Sequence, residues 1–145
     1  MFRRRRPKPA RGRAVPLRRR SEPQARTGPD FISLQVRDLE RAATFYESVL
    51  GLTRAEASPP HAVVFNTSPI PFAVRDAVPG IDLDSTPRPG LGMGLWFHDP
   101  DTAGLHTAVV RAGAQVVQEP FEGPFGTTFT FLDPEGYAIT VHDRQ

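Results

Sequence analysis

The strongest constraint on this chain is an internal repeat. Phe31 to Val36 (FISLQV) is an apolar, β-branched run, and Asp38 then caps a helical stretch in which Leu39, Ala42, Ala43, Tyr46, Val49 and Leu50 form one stripe before Gly51. The same order recurs in the second half. Gly92 to Phe97 (GMGLWF) reads as a strand, Asp99 as a cap, Pro100 as the first helical residue, and Leu105, Ala108, Val109 and Ala112 as the stripe that ends at Gly113. Short strand-like runs follow each helix: Leu52 to Glu56, Ala62 to Asn66 and Pro71 to Arg75, then Ala114 to Gln118, Thr127 to Leu132 and Tyr137 to His142. Each unit therefore reads βαβββ. In the turn Asp133-Pro134-Glu135-Gly136, Pro presets φ and Gly takes the left-handed position.

Two units this small must share a core, since 145 residues at 16.0 kDa is about one domain's worth of chain. The 39% of hydrophobic residues, among them 10 Phe, supply that core, while 16 Pro and 12 Gly break the chain into short elements. The reading is one α+β domain over residues 29–145, with module one at 30–77, a Pro- and Asp-rich linker at 78–90 and module two at 91–143.

Charge separates this domain from what precedes it. Residues 1–28 carry eleven basic side chains against Glu22 alone, a net +10, whereas residues 29–145 carry seven arginines against fifteen acids, a net −8. With Pro7, Pro9, Pro16 and Pro23 among the arginines, the leader has too little apolar surface to offset its ordering entropy, so it is expected to be disordered. Nucleic-acid binding is expected, if at all, only through this leader, because the domain behind it is acidic. The chain has no Cys, which excludes disulfides, thiolate metal sites and thiol nucleophiles. No run approaches the ~20 apolar residues of a membrane span, and no apolar segment follows the basic N-terminus as in a signal peptide. The expected location is cytoplasmic, with no membrane partner.

The segment VRDLERAATFYESVLGL and the ending FTFLDPEGYAITVHD resemble the vicinal oxygen chelate superfamily, which includes glyoxalase I, extradiol dioxygenases and bleomycin-resistance proteins. The resemblance runs from about Asp30 to Asp143. It implies that the strands of each module curl into half of a cavity, a half-barrel, and that metal-dependent members place ligands in the first and last strands of each module. Seven residues before the capping aspartates, at the His positions of such members, stand Phe31 and Gly92; seven after Asp133, at their Glu position, stands Thr140. None of the three suits a metal. The matching strand of module one has no carboxylate before Asp76. No metal and no other cofactor is therefore expected.

Alternation along the strands gives the expected cavity lining, since residues two apart share a face. With Phe31 turned inward, Ser33 and Gln35 follow it, as do Gly92, Gly94 and Trp96 on the second wall and Thr140 and His142 on the last strand. These eight are the candidate ligand-binding residues, a mix of aromatic, small and polar groups suited to a small organic molecule. Trp96 reads either as a stacking platform or as core, and His142 as a metal ligand, a general base or a strand-end residue. His61, His98 and His106 fall in a loop, at a strand end and on a helix, so they do not build a three-ligand site. Glu119 to Thr128 (EPFEGPFGTT) reads as a loop, either a lid over the cavity or a plug at the sheet edge.

The leading expectation is a metal-independent binding protein that sequesters an antibiotic or metabolite. The alternative is an enzyme: a lyase or dioxygenase of the same superfamily with unconventional metal ligands, or a metal-free catalyst using His142 as base. The resemblance also implies a homodimer, which would cover unpaired strand edges.

Overall fold

The computed structural model describes Gly12 and residues 26–144. The expected disordered leader thus lies almost wholly outside the described residues. The first module contains β1 (Ile32–Val36), α1 (Leu39–Ser48), β2 (Ala62–Phe65) and β3 (Phe72–Asp76). The second contains β4 (Leu95–His98), α2 (Thr102–Arg111), β5 (Val116–Gly123), β6 (Gly126–Leu132) and β7 (Ala138–His142).

The fold is α+β, and its two modules share a topology. In each, the last strand returns parallel to the first: β1 pairs with β3, Leu34 opposite Val74, and β4 pairs with β7, Phe97 opposite Val141. The strand orders are β1-β3-β2 and β4-β7-β6-β5, and no ladder joins the two sheets.

The modules are held together by a shared aromatic core. Tyr46, Phe65, Phe129 and Phe131 are wholly buried, and Phe72 meets Tyr46 at 4.9 Å and Phe97 of the second module at 5.5 Å, both edge to face. Each such ring contributes roughly 1.5–3 kcal/mol of burial free energy. Phe45, outside the expected α1 stripe, is also buried and packs on Phe131.

A polar clamp reinforces this contact. The Asp133–Gly136 turn does more than close a hairpin, because its two carboxylates are buried against α1. Tyr46 Oη donates to Asp133 Oδ2 at 2.6 Å, while Asp133 Oδ1 accepts from the backbone N–H groups of Glu135 and Tyr137. Glu135 accepts from Arg37 N, Arg37 Nε and Asp38 N, so a carboxylate of module two neutralises the helix N-terminus of module one. Tyr137 Oη donates to Gln35 O at 2.6 Å. Burial raises the Asp133 carboxyl above its ordinary range despite the Tyr46 bond, and raises the Tyr46 phenol well above 10.

Several expected boundaries are corrected. Leu52 to Glu56 is no strand but one bridge, Arg54 opposite Phe65, because β2 offers only four residues to pair with. Gly92 and Met93 lie in a turn before β4: Gly92 has φ +91°, and Met93 N donates to Gly90 O. Asp99 does not cap α2, because its N–H is still held by His142 O at 2.9 Å. The helix starts two residues later, with Asp101 as cap accepting from Gly104 N. The segment Glu119 to Thr128 is a hairpin rather than a loop, β5 running on to Gly123 opposite Gly126. Pro120 is accommodated there because the register shifts between Gln118 and Phe121.

Candidate ligand-binding site

The pleat of the second sheet sorts its side chains onto two faces. Ile139 and Val141 of β7, and Phe129 and Phe131 of β6, are buried in the core. Their neighbours in sequence form the opposite face in register: Trp96 opposite Thr140, His98 opposite His142, and Thr130 and Thr128 beside them on β6. The Thr130 and Thr140 hydroxyls lie 2.9 Å apart.

Aromatic rings dominate this face. Trp96 stands 5.3 Å from Phe125 and 6.0 Å from His142, and His98 lies edge to face with His142 at 5.5 Å. Trp96 is 50% exposed and Phe125 51%, so Trp96 is on the open face and not in the core. Phe125 sits at the tip of the β5–β6 hairpin, which is fastened down: Arg144 N donates to Phe125 O at 3.1 Å, and Thr127 N to Asp143 Oδ1 at 2.9 Å. The Nδ1 of His142 is shielded from solvent and has no hydrogen-bond partner among the described residues.

Two cavities meet at the seam between the sheets. One, about 530 Å3, is bounded by Trp96, His98 and His142 and, across from them, by Phe72 and the Asn66–Pro71 loop. The other, about 400 Å3, lies under the linker and is bounded by Ser33, Gln35, Leu83, Gly94 and Tyr137. Ile32 and Leu95, one from the edge strand β1 and one from the edge strand β4, line both.

The structure thus divides the eight residues singled out from the sequence. Trp96 and His142 line the first cavity; Ser33, Gln35 and Gly94 line the second, where Gln35 Oε1 also accepts from Val78 N. Thr140 shares the Trp96 face but is engaged with Thr130. Phe31, half-exposed before β1, and Gly92, in its turn, line neither cavity. His98, read from the sequence as a strand-end residue, and Phe125, within the segment read as a lid or a plug, stand beside Trp96 although neither is among the eight. His98 was within reach of alternation, being two residues from Trp96. The Asn66–Pro71 loop carried no such signal.

Comparison with known proteins bears on this arrangement. The family whose model matches residues 28–141 is described as the Glyoxalase/Bleomycin resistance protein/Dioxygenase superfamily. The chain belongs to this superfamily. Comparison with curated protein sequences gives no match. Solved structures share the superfamily fold. TnmS3, an antibiotic binding protein from Streptomyces sp. CB03234, is 22% identical with a TM-score of 0.65, over 84% of this chain and 99% of its own. A protein of unknown function from Agrobacterium tumefaciens str. C58 is 21% identical with a TM-score of 0.65, over 86% of this chain and 97% of its own. A lactoylglutathione lyase from Agrobacterium tumefaciens is 22% identical with a TM-score of 0.59, over 83% of this chain and 96% of its own.

Members of the glyoxalase superfamily that work through a metal need a set of His and carboxylate donors, and the residues here do not fit one. Among the described residues no three His, Asp or Glu side chains come together in a ligand set. The His98–His142 pair has no carboxylate beside it on the face formed with Trp96, Thr128, Thr130 and Thr140. Among the described residues no helix is long and apolar enough to cross a membrane.

Proposed function

We propose that this chain binds a small organic molecule, an antibiotic or a metabolite, and sequesters it without a metal ion. The observation that carries this reading is the half-exposed Trp96, set edge to face with Phe125 at the wall of a cavity of about 530 Å3. Neighbouring aromatics left open to water are costly unless something covers them, and a planar molecule stacked there would do so. The rest of the site supports binding over catalysis. Neither cavity is lined by a carboxylate, and the two imidazoles face each other with no acid to orient them, so a general acid–base pair is missing. The antibiotic binding described for TnmS3, on the same fold, agrees with this reading.

Trp96 is the only Trp, so it reports on its own site. In titrations against a panel of natural-product antibiotics, a bound compound is expected to quench its emission. Trp96→Ala should weaken binding, followed by calorimetry, at least about tenfold, or ~1.4 kcal/mol. Its cost in stability should stay well below the roughly 3–5 kcal/mol of a truncated core aromatic. Elemental analysis of the purified protein should find far less than one equivalent of Fe, Mn, Ni, Co or Zn. Stoichiometric metal lost on His142→Ala, or a panel in which no compound alters the emission, would overturn the reading.

A further inference from the structure

The two cavities share a property that composition makes improbable. Charged side chains are 23% of the chain, yet among the described residues none that lines either cavity is Asp, Glu, Lys or Arg. The excluded charges are close at hand. A third cavity, about 360 Å3 at the N-terminus of α1, is lined by Arg37, Arg41, Asp133 and Glu135. The polar side chains lining the two cavities are hydroxyls and amides, Ser33, Gln35, Thr86 and Tyr137 on one side and Asn66, Thr67 and Ser68 on the other, together with the imidazoles of His98 and His142.

From this we infer that the ligand is a formally neutral molecule, planar where it meets Trp96 and carrying hydroxyl or N–H groups, and that cationic and anionic compounds of the same shape are rejected. The inference rests on the binding reading above and adds the chemical class. A charge entering these cavities would shed water without meeting a counter-charge, whereas a neutral polar group finds hydrogen-bond partners. The acidic surface of the domain, net −8 over residues 29–145, does not alter this, because its carboxylates lie outside the lining. Selection by charge acts at the point of desolvation, not at the surface.

Three tricyclic probes of one shape test it: acridone, which is neutral with one N–H donor; 9-aminoacridine, a cation; and acridine-9-carboxylate, an anion. The three are compared by equilibrium dialysis with the full chain at pH 8. Acridone is expected to bind at least about tenfold more tightly than either charged probe, a difference of ~1.4 kcal/mol. Asn66→Asp, which adds a carboxylate to the exposed rim of the larger cavity at nearly constant volume, should narrow the gap between 9-aminoacridine and acridone by at least about threefold while widening that for the anion. If a charged probe binds as well as acridone, the inference is wrong while the binding reading stands. If all three fail to bind and no neutral planar compound quenches Trp96, both fall together.

Discussion

At the residue scale, the most consequential contact is the buried bond from Tyr46 Oη to Asp133 Oδ2 at 2.6 Å. Tyr46→Phe leaves the carboxylate one donor short in the core, so it should cost about 2 kcal/mol in urea unfolding. Asp133 also gives the fold a pH dependence of calculable sign. Its folded-state carboxyl titrates above the unfolded one because burial disfavours the charge. Between those two values the native state binds more protons, so this group's contribution declines as pH rises through the window and stays at its lowest at neutrality. Measured against Asp133→Asn, which does not titrate, the wild type should be relatively most stable near pH 3.5 and lose ground by pH 7. A difference independent of pH would refute this. Much at this scale was legible in the sequence: Asp38, Trp96 and the DPEG turn were all picked out. That the turn's carboxylates reach α1 was not, since Tyr46 and Asp133 are separated by 87 positions and only the fold brings them together.

At the scale of elements, strand–helix order was readable because apolar periodicity survives in five-residue strands and ten-residue helices. The β5–β6 hairpin was not. Its Pro and Gly content signals a loop, and only the bulge that absorbs Pro120, together with the tie from Arg144 to Phe125, makes it pair. Gly126 is the vulnerable point. Its φ is +79°, and a Cβ there would overlap the Asp143 carboxylate. Gly126→Ala should therefore cost about 1–3 kcal/mol of stability. Because Phe125 precedes it, the same substitution should also shift Trp96 emission in the absence of ligand. An unchanged spectrum would mean that Phe125 does not depend on the turn for its place beside the indole.

At the scale of the molecule, the repeat announced two modules, and the structure has two. What the repeat could not convey is how much apolar surface they leave uncovered once joined. Leu91 and Met93, in the turn before β4, are 83% and 79% exposed, and Ile81 of the linker, which lines the smaller cavity together with Met93, is half-exposed. An exposed apolar cluster of this kind is stabilised by association. Light scattering at micromolar concentration should give about twice the 16.0 kDa of one chain, and the double variant Leu91→Glu, Met93→Glu should return it to one. A wild type that scatters as a single chain would rule out this use of the surface.

The absence of a ladder between the sheets has a mechanical consequence. The edge strands β1 and β4 each lend a residue, Ile32 and Leu95, to the lining of both cavities, while the clamp at Tyr46, Asp133, Glu135 and Arg37 joins the modules beside α1. Prising the seam apart would strain side-chain contacts, among them the Phe72–Phe97 pair and the Tyr137–Gln35 bond, and would break no ladder of either sheet. In the proposed binding role, loosening that clamp, as in Tyr46→Phe, is expected to speed ligand release, read by stopped-flow Trp96 emission.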